Sequence, residues 1–163
     1  MKTLLAVVLF VGLSLAAWAD GVESGTPAPA FTETTVEGTP AELARFRGRA
    51  FLIWFTNFSN GDLAAAQSLF DAVGRHARVG VLIVSTEGQF ASRARAFDEK
   101  YQLDQIVVVD DDGSMVKLYT GFHTDGAKPP MNLVIIDANG QVRGRRQFPG
   151  HPPRLLEGEL ERL

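Results

Sequence analysis

Residues 50–62, Ala50-Phe51-Leu52-Ile53-Trp54-Phe55-Thr56-Asn57-Phe58-Ser59-Asn60-Gly61-Asp62, decide the fold. The first six are apolar without alternation, the pattern of a central strand buried on both faces. After a break at Thr56-Asn57-Phe58, the residues Leu63, Ala66, Leu69, Phe70 and Val73 recur at helical spacing, predicting an amphipathic helix from about Asp62 to His76. Ser59-x-x-Asp62 stands at its start as a capping box, with the hydroxyl capping and the carboxylate near the positive end of the dipole.

The same alternation of buried strand and amphipathic helix continues outward. Val79–Ser85 reads as a second buried strand and Gln89–Tyr101 as a helix with Phe90, Ala94, Phe97 and Tyr101 on its inner side. Ile106–Val109 is a short strand, followed by the turn Asp110-Asp111-Asp112-Gly113 and a helical turn through Met115, Leu118 and Tyr119. Leu133–Asp137 and Gln141–Phe148 flank Ala138-Asn139-Gly140, and Asn-Gly is a strong hairpin signal. Pro152–Leu163 closes the chain as a helix. Upstream, two prolines precede an expected edge strand at Phe31–Val36, and Thr39-Pro40-Ala41-Glu42 is expected to open a short helical turn through Leu43 and Phe46. The pattern predicts an α/β domain, a mixed central β-sheet flanked by helices with a C-terminal β-hairpin and helix.

At the N-terminus, Lys2 precedes an apolar stretch, Leu4–Leu15, that closes on Ala17-Trp18-Ala19, a small-x-small pattern. This reads as a signal peptide over residues 1–19, leaving a mature domain over 20–163. The stretch is shorter than the roughly 20 residues a membrane span needs, so no stable membrane insertion is expected after leader removal. The expected location is the periplasm or the exterior. The net charge of −3, with both signs interspersed, argues against a nucleic-acid partner. An exported domain could have used disulfides, yet the chain contains no cysteine, so its stability rests on packing.

Taken in order, these segments resemble the thioredoxin-like superfamily, in particular its exported thiol-disulfide reductases and its peroxiredoxin-type (AhpC/TSA, redoxin) branch. Gly25-Thr26-Pro27-Ala28-Pro29-Ala30-Phe31 is similar to that branch's opening G-x-x-A-P-x-F. Leu43-x-x-Phe46-x-Gly48-x-x-Phe51-Leu52, the block from Phe97 through Asp110-Asp111-Asp112-Gly113 to Tyr119, and Val134-Ile135-Ile136-Asp137-x-x-Gly140 match the segments that follow. In the reductases the central strand runs into W-C-x-x-C. The resemblance places Ser59 and Asp62 at the two cysteine positions, with Phe58, Asn60 and Gly61 around them. It also implies a cis-proline facing the pair, for which Pro130, beside Met131, is the candidate.

The substitution bears directly on chemistry. An attacking thiol at a helix N-terminus is acidified toward thiolate near neutral pH. A serine hydroxyl there is not acidified enough to attack, and no base is identifiable nearby. The expectation is a domain that keeps the fold and a groove made by Phe58, Ser59, Asn60, Gly61 and Asp62 with Pro130, Met131 and Asn132, and that binds another exported protein or an extended peptide without catalysis or cofactor. Trp54, Phe55 and Phe58 themselves read as core residues, with partner contact through Phe58 as the alternative. Two rivals follow from the resemblance: an oxidoreductase or peroxiredoxin-type antioxidant acting only with a cysteine-bearing partner, and a copper carrier using His123. Neither is favoured by spacing, since His76, His123 and His151 are scattered and form no metal-ligand pattern. Asp110–Gly113 reads as a solvated turn. Arg143, Arg145 and Arg146 read as edge-strand charges that discourage pairing rather than as an anion site.

Overall fold

The computed structural model describes residues 21–76, 78–86, 106–122 and 128–163, together with Ser92, Arg95, Ala96 and Glu99. The expected leader and His123 lie outside them. Of the expected helix Gln89–Tyr101, the four described positions are helical and exposed, at the spacing of a single outward face.

Five strands form the main sheet: β3 (Ala50–Thr56), β4 (Val79–Ser85), β5 (Ile106–Val109), β6 (Leu133–Ile136) and β7 (Val142–Arg146), in the order β5-β4-β3-β6-β7. β3, β4 and β5 are parallel, and β6 and β7 are antiparallel additions. Every residue of β3 and β4 is buried, as their continuous apolar runs predict. Helix α1 (Asn60–Gly74) follows β3, α2 (Ser114–Thr120) follows β5, and α3 (Pro153–Leu160) ends the chain.

Strand alternation sorts the core into two layers. On one face Leu52, Trp54, Val81, Ile83, Leu133 and Ile135 pack under α1 and α3 through Ala66, Leu69, Val73, Leu156 and Leu160. On the other, Phe51, Ile53, Phe55, Leu82, Val84 and Val134 meet Met115, Val116 and Tyr119 of α2, with Phe31 and Phe46.

One expected element is corrected. Pro40–Glu42 is not a helix opening but a strand, β2, paired antiparallel with β1 (Thr32–Thr34), and helical geometry begins only in the 3-10 turn Leu43–Phe46. Ala41 is fully buried, which a solvated first helical turn would not allow. The turn between the strands is tied by Thr35 N to Thr39 O (2.8 Å) and by Thr39 N to Thr35 Oγ1 (3.2 Å), and Pro40, lacking an N–H, sits where an edge tolerates it.

The segment after Gly21 closes both edges of the main sheet. Gly25 N donates to Val142 O (2.7 Å) and Val142 N to Thr26 O (2.9 Å) along β7, while Thr35 bridges Val108 and Val36 N donates to Val107 O (2.9 Å) along β5. Exposed strand edges invite pairing with other chains, and here both are occupied in part.

Candidate functional site

The C-terminal end of β3 delivers the chain to the start of α1, and the site is built there. Thr56, the last residue of β3, is buried and bonds in two directions: its Oγ1 accepts from Phe58 N (2.9 Å) and donates to Asp62 Oδ2 (2.9 Å). The backbone turns sharply at Phe58, whose φ of 52° lies in the left-handed region that non-glycine residues rarely enter. That turn drives the Phe58 ring inward, to 4% exposure in the core layer under α1. Phe58 is thus the core residue its apolar character suggests, and its alternative place in the groove is corrected.

Ser59 is the N-cap, with its Oγ accepting from Asp62 N at 3.3 Å. The box is half made. Ser59 N donates to Asn57 Oδ1 (3.2 Å), and the Asp62 carboxylate points away from the cap, to Thr56 and to Lys128 Nζ, which reaches its Oδ1 at 2.5 Å. Asp62 is fully buried, and Lys128 comes from 66 residues downstream with its side chain 28% exposed. A carboxylate placed away from water is tolerable because a cation, a hydroxyl and the positive end of α1 meet it.

The structure brings Lys128, Pro130 and Met131 into the same region. Lys128 holds the start of this segment against α1, Pro129 is buried, and Pro130 and Met131 are exposed, Met131 at 41%. The cis-proline expectation is corrected: among the described residues the cis bond is Phe148–Pro149, not Pro129–Pro130. Asn132 clasps the next layer. Its Nδ2 donates to Phe55 O (3.1 Å) and Phe148 O (2.7 Å), and its Oδ1 accepts from Phe148 N (2.7 Å), fixing the segment to β3 and to the residues after β7. Ser59 and Gly61 are exposed beside α1, and Asn60 begins its backbone. Asn132, expected in the groove, is instead fully buried, and Thr56 and Lys128 have no role in the site expected from sequence: Lys128 meets Asp62 only across 66 residues, and nothing in the spacing marks the Thr56 hydroxyl.

The polar groups at both positions are engaged in hydrogen bonds. Ser59 Oγ is occupied as an acceptor at the cap, and the Asp62 oxygens are committed to Thr56 and Lys128. Among the described residues no three His, Asp or Glu side chains are grouped to hold a metal. None of the helices among them is long and apolar enough to cross a membrane.

A second charged region lies at the C-terminal end of β5, two strands along the same edge of the sheet. Asp110 is buried and caps α2, accepting from Met115 N (3.2 Å) and Val116 N (2.8 Å). Its burial raises its pKa, while the Ser114 bonds lower that of Asp112. Glu33, on β1 beside this turn, is pushed up to about 7 by burial first and then by Asp110, Asp112 and Asp111.

Residues 24–145 match the model of the AhpC/TSA family. The chain is 28% identical over 126 residues to chloroplastic peroxiredoxin Q of Suaeda salsa, a match covering 75% of this chain and 58% of that protein, so it spans little more than half of that relative's length. Among solved structures it is similar to a secreted disulfide oxidoreductase of Mycobacterium tuberculosis homologous to E. coli DsbE (23% identity, TM-score 0.65, 82% of this chain and 96% of the other). It is also similar to a thiol peroxidase of Chromobacterium violaceum (12% identity, TM-score 0.73, 88% and 89%). These neighbours share the thioredoxin-like fold.

Proposed function

Since the chain belongs to the AhpC/TSA family while carrying no cysteine, we propose that it is a non-catalytic thioredoxin-fold protein that binds another exported protein or an extended peptide at the former redox face. The observation that carries this reading is the fate of Asp62. At one of the two redox positions stands a carboxylate that is fully buried, bonded to Thr56 and ion-paired to Lys128, so the position has a structural role incompatible with attack on a disulfide or peroxide. What remains exposed there, Ser59 and Gly61 on one side and Pro130 and Met131 on the other, is a surface of backbone and apolar atoms suited to an extended chain.

Export is part of the same reading. It is supported by Lys2, the Leu4–Leu15 apolar stretch and Ala17-Trp18-Ala19, with the folded body under way by Val22, which is buried and donates its N–H to Tyr119 O (3.1 Å).

The test pairs activity with capture. Residues 20–163 should reduce insulin disulfides and consume hydroperoxides no faster than a cysteine-free control protein. Capture from the exporting compartment should retain a partner that a Met131→Asp variant loses while keeping its unfolding midpoint. Thiol-type turnover above the control, or capture indifferent to Met131, would sink the proposal.

A further inference from the structure

Away from the start of α1, β7 and the residues that end the chain after α3 border a cleft of about 140 Å³, lined by Ile135, Arg143, Arg146, Glu159, Arg162 and Leu163. At roughly 10–15 Å³ of such space per water, this is room for on the order of ten waters. Its charge is lopsided. Three guanidiniums and one acidic side chain line it, on a chain whose net charge is −3.

The three arginines are not equivalent. Arg146 is fixed: its Nε donates to Glu159 Oε1 at 3.0 Å, its Nη2 bonds the same oxygen, and its Nη1 donates to Arg145 O (2.8 Å). That pairing engages the cleft's one acidic side chain, whose other oxygen is buried and lies 3.6 Å from His151 Nε2. Arg143 has only a long contact, 3.7 Å to Asp137 Oδ2, and the Arg162 guanidinium has no ion-pair partner within 4.0 Å among the described residues. Two forked cations thus remain under-used at the rim of a cleft whose floor, Ile135 and Leu163, is apolar. Planar guanidiniums match tetrahedral oxyanions in two-point contact, and a pair of them around a small cavity selects for a doubly charged one.

We propose that this cleft binds a phosphate-class oxyanion between Arg143 and Arg162, with Arg146 and Glu159 as the rigid wall. The apolar floor accommodates the organic side of a phosphomonoester. Sequence alone places Arg143 and Arg146 on an edge strand as repulsive charges; only the return of α3 sets Arg162 opposite them. The site is independent of the partner-binding reading and shares no residue with it.

Calorimetric titration of residues 20–163 with inorganic phosphate and with phenyl phosphate tests this, with sodium chloride at matched ionic strength as the control. Saturable binding should weaken at least tenfold in Arg143→Ala/Arg162→Ala, whose exposed positions leave the fold intact by circular dichroism. Arg143→Lys/Arg162→Lys keeps the charge but not the fork and should fall between. Tighter binding of phenyl phosphate assigns the site to an organic phosphomonoester, and equal or weaker binding assigns it to the free ion. Heats no larger than those of chloride, or binding unchanged in the double alanine variant, would overturn the proposal.

Discussion

Removing Lys128 isolates the charge on Asp62, and the cost can be worked from its remaining partners. Asp62 is fully buried, with Lys128 Nζ at 2.5 Å and Thr56 Oγ1 at 2.9 Å. Breaking a buried pair from one side costs about 3–5 kcal/mol. Two compensations survive in Lys128→Met: the charge-assisted bond from Thr56 and the N-terminal dipole of α1, the latter worth about 0.3–2 kcal/mol. Lys128 is also partly solvated, which trims the Coulomb term. The expected loss is about 2–3 kcal/mol, or roughly 8–12 °C in Tm for a domain of this size. Urea unfolding followed by tryptophan fluorescence reads it directly. Asp62→Leu/Lys128→Met should recover most of the loss, because the buried charge goes with its partner. A single variant within about 0.5 kcal/mol of wild type, or a double variant no better than the single, would refute the claim that Asp62 is held by Lys128.

Other expectations follow from the same contacts. Glu33, raised to about 7 from 4.5, binds a proton in the folded state that it has lost in the unfolded one between those values, so stability should fall as pH rises from about 4.5 to 7. After allowance for its partial exposure, Glu33→Gln should remove about 1–2 kcal/mol of that slope and leave the protein more stable than wild type at pH 8, read by urea midpoints across pH. Asn132→Ala deletes three buried hydrogen bonds and should cost about 3 kcal/mol by the same assay. Ser59→Ala should cost about 1 kcal/mol, the worth of a cap, with insulin and peroxide assays unchanged.

The sheet was legible because its signals are local. Ala50–Phe55 and Val79–Ser85 announce burial on both faces, and the Asn139-Gly140 turn is visible without any partner, with Asp137 Oδ1 accepting from Asn139 N and Gln141 N (2.9 Å each). Thr39-Pro40-Ala41-Glu42 misled because a cap, a first-turn proline and a following acid also suit an edge strand; the choice fell to β1, which supplies the pairing, and to the burial of Ala41. In the site, Ser59 as a cap could be read from spacing. Phe58 as a core residue could be read too, though not the left-handed backbone that turns it inward, which no neighbouring glycine signals. Lys128 and Asp62 lie 66 residues apart, and Arg162 meets Arg143 only through the return of α3; such pairings leave no periodic trace.

The double closure of the sheet by the segment after Gly21 carries a consequence for how the molecule is made. Gly25 finds its place only against Val142, more than a hundred residues later in synthesis. Until β7 has emerged, neither Gly25 nor Thr26 has a ladder to join, and the loop that must close is nearly the whole domain. Such long-range contacts slow folding. The earliest part of the body is therefore among the last to dock, so the leading end waits undocked while the later strands assemble behind it.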